Sequence, residues 1–125
     1  MTEVMLVAIV DDDGSFRRAM TQFVESLGHT AYNFPSALDF LRSDELNETA
    51  CLICDLHMPG MDGHELQYWL YTHGYSMPII FVSAYGDTKS RQKAFDLGAV
   101  GYFDKPFDEQ EMISCIDRAL LPRRT

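Results

Sequence analysis

Cysteine is scarce in this sequence, and long apolar runs are missing from it. Three cysteines occur in 125 residues, all within apolar stretches, and this odd number indicates reduced, buried thiols rather than a disulfide framework. No apolar run approaches the roughly 20 residues that span a bilayer, and the N-terminus lacks the basic segment of a signal peptide. We therefore expect a cytoplasmic protein with no membrane association.

Positive charge is also in short supply. The chain has 10 Lys and Arg residues against 19 Asp and Glu residues, which gives a net charge of -9. Phosphate groups would repel so acidic a domain, so we do not expect it to bind nucleic acid or an anionic membrane directly. Because 46% of its residues are hydrophobic, it can form a core, and its length suits one domain.

Two of the cysteines have the CxxC spacing that redox and zinc sites use. Cys51 and Cys54 lie in the apolar run 50–54, which has the length of a buried strand. An offset of three residues points side chains to opposite faces of a strand. We therefore interpret them as two separate core thiols.

Strand-length apolar runs alternate with helical periodicity along the whole chain. Strands are predicted at 5–10, 29–34, 50–54, 78–82 and 100–103, and helices at 16–27, 35–46, 63–73, 86–97 and 109–121. Such alternation specifies a parallel sheet with helices on both faces. Five strands in an open sheet favour the flavodoxin-like, doubly wound (βα)5 fold with strand order 2-1-3-4-5.

Polar residues collect where these strands end. They are Asp11 and Asp12 after the first strand, Asp55 after the third, Ser83 after the fourth and Lys105 after the fifth. The first and third strands are neighbours in this order, and ligands bind at the carboxyl ends near that point. We therefore expect these side chains to converge on one crevice, whereas Asp13 is expected to cap the first helix.

Several carboxylates with a single lysine need a counterion. Two carboxylates about 4 Å apart repel by about 4 kcal/mol at an effective dielectric near 20, so protons or a cation must enter. Because all the ligands are oxygens, Mg²⁺ fits best, with water and a phosphate group completing its shell. A carboxylate beside such an ion, with a lysine opposite, can attack phosphorus and form an aspartyl phosphate. Asp55 is the expected nucleophile because an open turn follows it.

The sequence resembles the receiver domains of two-component response regulators along essentially its whole length, and the FixJ-type regulators most of all. The matching segments are 9–12 (IVDD), 54–63 (CDLHMPGMDG), 83–84 (SA) and 98–107 (GAVGYFDKPF). The resemblance implies a receiver domain over 1–121 and the start of a linker at 122–125. We expect the helix-turn-helix output domain usual in that type to lie outside these residues.

The resemblance further implies a phosphorylation site and a metal site. Asp55 would accept a phosphoryl group from a sensor histidine kinase. Asp12, Asp55 and the backbone carbonyl of His57 would bind Mg²⁺ or Mn²⁺, with Asp11 assisting through water. The domain would then be a phosphoacceptor that catalyses only its own phosphorylation and dephosphorylation, not an enzyme acting on other substrates.

A second group of residues would transmit the signal. The family pattern assigns Lys105 to the phosphoryl oxygens, Ser83 to a hydroxyl that follows the phosphate, and Tyr102 to an aromatic rotamer switch. It also implies a cis peptide bond at Lys105–Pro106. The changed face would comprise the fourth helix, fifth strand and fifth helix, which would control an output domain or partner, with transcription the expected output.

Further expectations concern hydrolysis and partners. His57 and Tyr85, two residues beyond Asp55 and Ser83, should flank the phosphoryl group and tune its hydrolysis. The fourth helix has no apolar residue over 87–92, which suits either a loosely held switch or a merely solvated helix. Phosphorylation-dependent pairing of two copies is implied by the resemblance, and contact with DNA only through an output domain.

Other functions on a similar fold fit less well. A flavodoxin would need a neutral loop after the first strand to hold the flavin phosphate. A haloacid dehalogenase phosphatase would need its acid/base carboxylate where His57 stands, and a serine hydrolase would need a GxSxG elbow at Ser83. A receiver-like domain that only binds partners is opposed by nothing except the completeness of the site.

Overall fold

The computed structural model describes residues 5–121, which form one parallel sheet covered by helices on both faces. The strands are β1 (Leu6–Val10), β2 (Thr30–Phe34), β3 (Cys51–Cys54), β4 (Ile79–Ser83) and β5 (Gly101–Asp104). The helices are α1 (Gly14–Ser26), α2 (Ala37–Leu41), α3 (Gly63–Thr72), α4 (Thr88–Asp96) and α5 (Glu109–Leu120). The strand order is β2-β1-β3-β4-β5, which confirms the predicted topology. The proposed linker at 122–125 lies outside the described residues.

The sheet separates two apolar layers. Phe40, Leu66 and Leu70 of α2 and α3 pack on one face, and helices α1 and α5 cover the other with residues such as Val24 and Ile116. The side chains of each layer are removed from water when the chain folds, and this burial of apolar surface is the main stabilising contribution to the fold. Within residues 5–121, no helix is long and apolar enough to cross a membrane.

The two cysteines of the CxxC segment are divided between these layers. Cys54 packs in the α2/α3 layer and Cys51 in the α1/α5 layer, and both are free thiols. Burial, and secondarily the nearby Cys115, raises the pKa of Cys51 to about 12. The prediction of two separate core thiols is confirmed.

Helix ends are fixed by side chains that accept hydrogen bonds from free amides. Asp13 caps α1 by accepting from the amides of Ser15 and Phe16, as predicted. Asp62 and Glu65 form the predicted reciprocal capping box at α3. These caps fix where α1 and α3 begin. The two helices follow the loops that carry Asp11, Asp12 and Asp55.

Helix α2 differs from the prediction of one helix over 35–46. It begins after the cap residue Ser36 and covers only Ala37–Leu41, and a 3-10 turn follows at Leu46–Glu48. Both the amide and the hydroxyl of Ser43 donate to the carbonyl of Phe40, at 3.1 and 2.7 Å. This local bonding competes with the helical pattern and ends the helix early.

Candidate functional site

The acidic residues meet at the carboxyl edge of the sheet. Val10 lies opposite Cys54 in the parallel β1–β3 pair, so the next residues, Asp11 and Asp55, leave the sheet side by side. Asp11 is 1% exposed and Asp55 8%, whereas Asp12 is exposed. Carboxylate oxygens from the three residues lie within 4.8 Å of one another. The predicted convergence is thus present, and the cluster has room for one cation.

Lys105 comes to this cluster from the end of β5. Its Nζ lies 2.9 Å from Asp11 Oδ2 and 3.7 Å from Asp55 Oδ2. Asp11 also accepts the amide of Asp13 on Oδ1 at 2.8 Å, so both of its oxygens have protein donors. Asp55 and the exposed Asp12 are therefore better placed than Asp11 to ligate a cation directly.

Charge and burial act against the ionised form of Asp55. Burial, and secondarily the Asp11 carboxylate, raises the pKa of Asp55, while Lys105 and the amides of His57 and Leu56 partly counteract this rise. A divalent cation would relieve the repulsion that the single lysine leaves. The donor set consists entirely of oxygens, which fits Mg²⁺ or Mn²⁺.

The loops after β3 and β4 lie beside each other at the mouth of the site. His57 Nε2 is 3.4 Å from the carbonyl oxygen of Tyr85, and the two rings are 6.4 Å apart. Ser83 is fully buried, and its Oγ accepts the Tyr85 amide at 3.2 Å. Tyr85 is 81% exposed. The amide of His57 also donates to Asp55 Oδ1 at 3.3 Å, so the two loops meet beside Asp55.

Tyr102 lies inward on β5, with only 9% of the residue exposed. Its buried hydroxyl faces Gly86 and lies near the backbone amide of Asp87. Arg91 of α4 donates from Nη1 to the Tyr102 carbonyl at 3.3 Å, and its guanidinium lies 5.8 Å from the ring centroid. The Lys105–Pro106 peptide bond that follows β5 is cis.

Two residues of the first turn of α1 also contact the site, and sequence reasoning missed both. The guanidinium of Arg17 donates to the carbonyl of Asp11 at 2.8 Å and to Asn33 Oδ1 at 3.0 Å, which ties the Asp11 loop to the end of β2. The Phe16 ring lies under the Lys105 ammonium. Helical spacing assigns Phe16 to the apolar stripe of α1. Only its nearness in sequence to Asp11 and Asp12 could have suggested a contact with the site.

Comparison with known proteins identifies the family. The response regulator receiver domain model matches residues 7–117. The chain belongs to this family. As a receiver domain, it is a signalling domain of the two-component type.

Individual relatives agree with this receiver domain assignment. The response regulator protein TodT of Pseudomonas putida is 39% identical over 92% of this chain, and the regulatory protein FixJ of Azorhizobium caulinodans is 32% identical over 96%. These alignments cover 51% and 57% of the relatives, so the chain spans about half the length of the curated relatives it matches. Several relatives are named transcriptional regulatory proteins.

Solved structures show the same fold. FixJ-N matches with a TM-score of 0.86 and 28% identity, covering 99% of both chains. The response regulator StyR also has a TM-score of 0.86, at 35% identity over 94% of this chain and 60% of its own. The resemblance to FixJ-type receiver domains is therefore confirmed, and flavodoxin, dehalogenase and hydrolase functions are set aside.

Proposed function

We propose that this receiver domain accepts a phosphoryl group on Asp55 in a reaction that requires Mg²⁺ or Mn²⁺. The observation that carries the proposal is the position of Asp55 between Lys105, at 3.7 Å, and a group of carboxylates whose oxygens lie within 4.8 Å of one another. A nucleophile, a cation and a metal-binding set are thus in one crevice, which is what phosphoryl transfer needs.

In the proposed step, a carboxylate oxygen of Asp55 forms a bond to phosphorus. The bond from phosphorus to the donor, a kinase histidine nitrogen or an acyl oxygen, breaks, and the leaving group keeps the electron pair. Lys105 balances negative charge on the phosphoryl oxygens because its ammonium is already beside Asp55. Hydrolysis by water then releases phosphate and restores the carboxylate.

The metal site is assigned to Asp12, Asp55 and the backbone carbonyl of His57. Asp11 would act through water, since its own oxygens already accept from Asp13 and Lys105. When bound, the divalent ion would offset the charge that accumulates on the transferring phosphoryl group. Burial and, secondarily, the Asp11 carboxylate raise the pKa of Asp55, and a bound cation would offset the repulsion from Asp11, which supports this assignment.

The switch is assigned to Ser83 and Tyr102. Phosphorylation would draw the Ser83 hydroxyl away from the Tyr85 amide toward a phosphoryl oxygen. Since Tyr102 is already inward, the expected effect is to stabilise this position rather than to create it. Arg91 contacts both the Tyr102 backbone and its ring, so α4 would respond to the change.

The output surface is assigned to α4, β5 and α5. A hollow of about 630 Å³ lies between these elements and is lined by Phe95, Tyr102 and Arg118 among others. A partner or a second copy would read this surface, and transcription would be controlled through an output domain of the kind that the relatives' greater length accommodates. Light scattering with and without a phosphoryl donor tests the pairing, and an unchanged mass would reject it.

Phosphorylation itself is tested by weighing the intact protein after incubation with Mg²⁺ and acetyl phosphate. We expect one phosphoryl adduct, lost in Asp55→Asn and in the presence of a chelator. Asp13→Asn is the matched control, because Asp13 caps α1 and lies outside the carboxylate cluster. An adduct that survives Asp55→Asn would place the phosphoryl group on another residue and refute the proposal. No adduct on the unaltered chain would also refute it and would favour a domain that only binds partners.

A further inference from the structure

We propose that Phe16 is a positioning residue that holds the Lys105 ammonium for phosphoryl transfer through a cation–π contact. The proposal rests on the phosphoryl-binding function proposed for Lys105. Lys105 Nζ lies 4.0 Å from the centroid of the Phe16 ring, well inside the roughly 6 Å at which such contacts act. The ring face carries negative potential and therefore attracts the ammonium.

The Lys105 ammonium has exchanged most of its water for protein groups. Only 17% of the side chain is exposed, and Asp11 Oδ2 accepts from Nζ at 2.9 Å. The Phe16 ring occupies a different side of the ammonium, where a lysine at the surface would have water. Cation–π contacts strengthen as the cation loses water, so this partly buried ammonium should gain more from the ring than a fully exposed one would.

The Phe16 ring is itself held in place. The backbone amide of Phe16 donates to Oδ1 of the cap residue Asp13 at 3.3 Å, which fixes the backbone at the start of α1. Its ring meets Phe107 edge to face, with centroids 6.4 Å apart and planes at 83°. Phe107 in turn contacts Phe23 and Phe103. The ring is thus oriented by packing that does not involve Lys105.

This arrangement limits where Lys105 can go. A lysine has a flexible stem and would otherwise sample positions in solvent. Held between Asp11 at 2.9 Å and the Phe16 ring, its ammonium stays 3.7 Å from Asp55, next to the place where a phosphoryl group would be attached. Loss of the ring should lower the phosphorylation rate about two- to fivefold, the effect expected of one exposed to partly buried cation–π contact.

The test changes the electronics of the ring while keeping its shape. In the full chain, Phe16 is replaced by phenylalanines with successively more ring fluorines, which weaken the negative potential of the ring face. We expect the rate of phosphorylation by acetyl phosphate and Mg²⁺ to fall stepwise along this series, and Phe16→Tyr to retain it. Phe23 is the matched control position, because it contacts the same Phe107 ring but not Lys105.

A second measurement needs no phosphoryl donor. The ε-methylene of Lys105 should show an upfield NMR shift from the Phe16 ring current, which Phe16→Leu abolishes and Phe16→Tyr preserves. If the phosphorylation rate did not change along the fluorine series, the ring would act only by packing and the proposal would be overturned. An ε-methylene shift that stays unchanged in Phe16→Leu would also overturn it. If the unaltered chain shows the shift but takes no phosphoryl group, the function proposed for the site fails and the positioning role fails with it.

Discussion

Ionisation of the Asp55 carboxyl group is less favourable in the folded chain than in the unfolded chain. Because its pKa is raised in the folded state, the folded chain binds a proton more readily at this group than the unfolded chain does. At a pH above both pKa values, the ionised group therefore opposes folding. This penalty shrinks as the pH falls through the folded-state pKa and disappears below the ordinary value of 3.8.

Because asparagine carries no charge, Asp55→Asn should remove this penalty and raise the free energy of unfolding of the metal-free protein at pH 7. Adding Mg²⁺ should raise the melting temperature of the unaltered protein, since an ion that binds only the folded state stabilises it. The difference in stability between the unaltered protein and Asp55→Asn should therefore become smaller. Thermal unfolding with Mg²⁺ and with a chelator measures both effects. Equal stabilisation of the two proteins by Mg²⁺ would contradict the assignment of Asp55 as a ligand.

Tyr85 is expected to control how long the phosphoryl group survives. Tyr85 is 81% exposed at the mouth of the site, where its ring can obstruct water. Tyr85→Ala should shorten the phosphoryl half-life several-fold, as measured by the decay of the mass adduct. Tyr85→Phe keeps the bulk and should leave the half-life near that of the unaltered protein. An unchanged or longer half-life in Tyr85→Ala would exclude this role.

The loop after β4 packs tightly against β5, because Gly86 lies directly against the side chain of Tyr102. A Cβ on Gly86 would collide with the Tyr102 hydroxyl and lie 2.9 Å from Cε1 of the same ring. Gly86 does not have a positive φ, unlike Gly28, Gly60, Gly74 and Gly98, so backbone strain does not explain the glycine. Its lack of a side chain is what allows Tyr102 to lie inward.

Gly86→Ala should therefore destabilise the fold by about 1–3 kcal/mol through overpacking. In a Tyr102→Ala background the same substitution should cost much less, because the colliding ring is absent and only the flexible Asp104 carboxylate, 3.0 Å from the added Cβ, remains close. Chemical denaturation of the four proteins of this cycle measures the coupling. An equal cost in both backgrounds would show that the loop needs glycine for a reason unrelated to Tyr102.

Helix α3 places a histidine with a largely buried ring against Phe81 of β4. Both ring nitrogens of His64 are buried without a hydrogen-bond partner within residues 5–121, and the ring lies 6.0 Å from that of Phe81. Burial, and secondarily the cation of Lys93, lowers the pKa of His64, with Asp62 acting in the opposite sense. The unfolded chain therefore binds the proton at higher pH, and stability is lost as the pH falls below about 6.5.

Replacing this histidine should make stability less sensitive to acid. We expect the free energy of unfolding to fall less between pH 7.5 and pH 5.5 in His64→Leu than in the unaltered chain. His73→Gln is the control, since His73 is exposed at the end of α3. Denaturant titrations across this range provide the measurement, and parallel pH profiles for His64→Leu and the unaltered chain would contradict the prediction.

The order of elements was predictable because buried strands and amphipathic helices have different periods. The crevice was predictable too, since Asp11 and Asp55 follow strands that are neighbours in the predicted sheet. The end of α2 was not, because hydrogen bonds from Ser43 to a nearby carbonyl override a continuing apolar pattern. Nor were the contacts of Phe16 and Gly86, since each depends on a side chain that only the folded chain brings close.

Across the whole molecule, the excess of negative charge has two parts. Three carboxylates and Lys105 at the crevice contribute -3 + 1 = -2 of the total -9, which one divalent ion would neutralise. The remaining -7 is distributed over the rest of the chain and keeps the domain unsuited to phosphate-rich partners. Part of the acidity is therefore a feature of the site, and the rest affects which surfaces the domain can approach.

The sheet is common to both apolar layers, so the two layers should unfold together. Cys51 and Cys54 are at most 1% exposed and face opposite layers, and burial raises both thiol pKa values. At pH 8 each thiol should react with iodoacetamide only after unfolding, and at the same rate if unfolding is cooperative. Pulsed alkylation followed by peptide mass spectrometry measures the two rates separately.

A matched pair of substitutions makes this test of cooperativity decisive. Ile79→Val thins the α2/α3 layer and Ile116→Val the α1/α5 layer, and each removes one buried methylene worth about 1 kcal/mol. In a cooperative domain, either substitution accelerates the alkylation of both thiols about fivefold, because both report the same global opening. If Ile79→Val accelerated only Cys54 and Ile116→Val only Cys51, the two faces of the sheet would open independently. A conformational change at α4 could then remain confined to its own layer and leave the α1/α5 side unchanged.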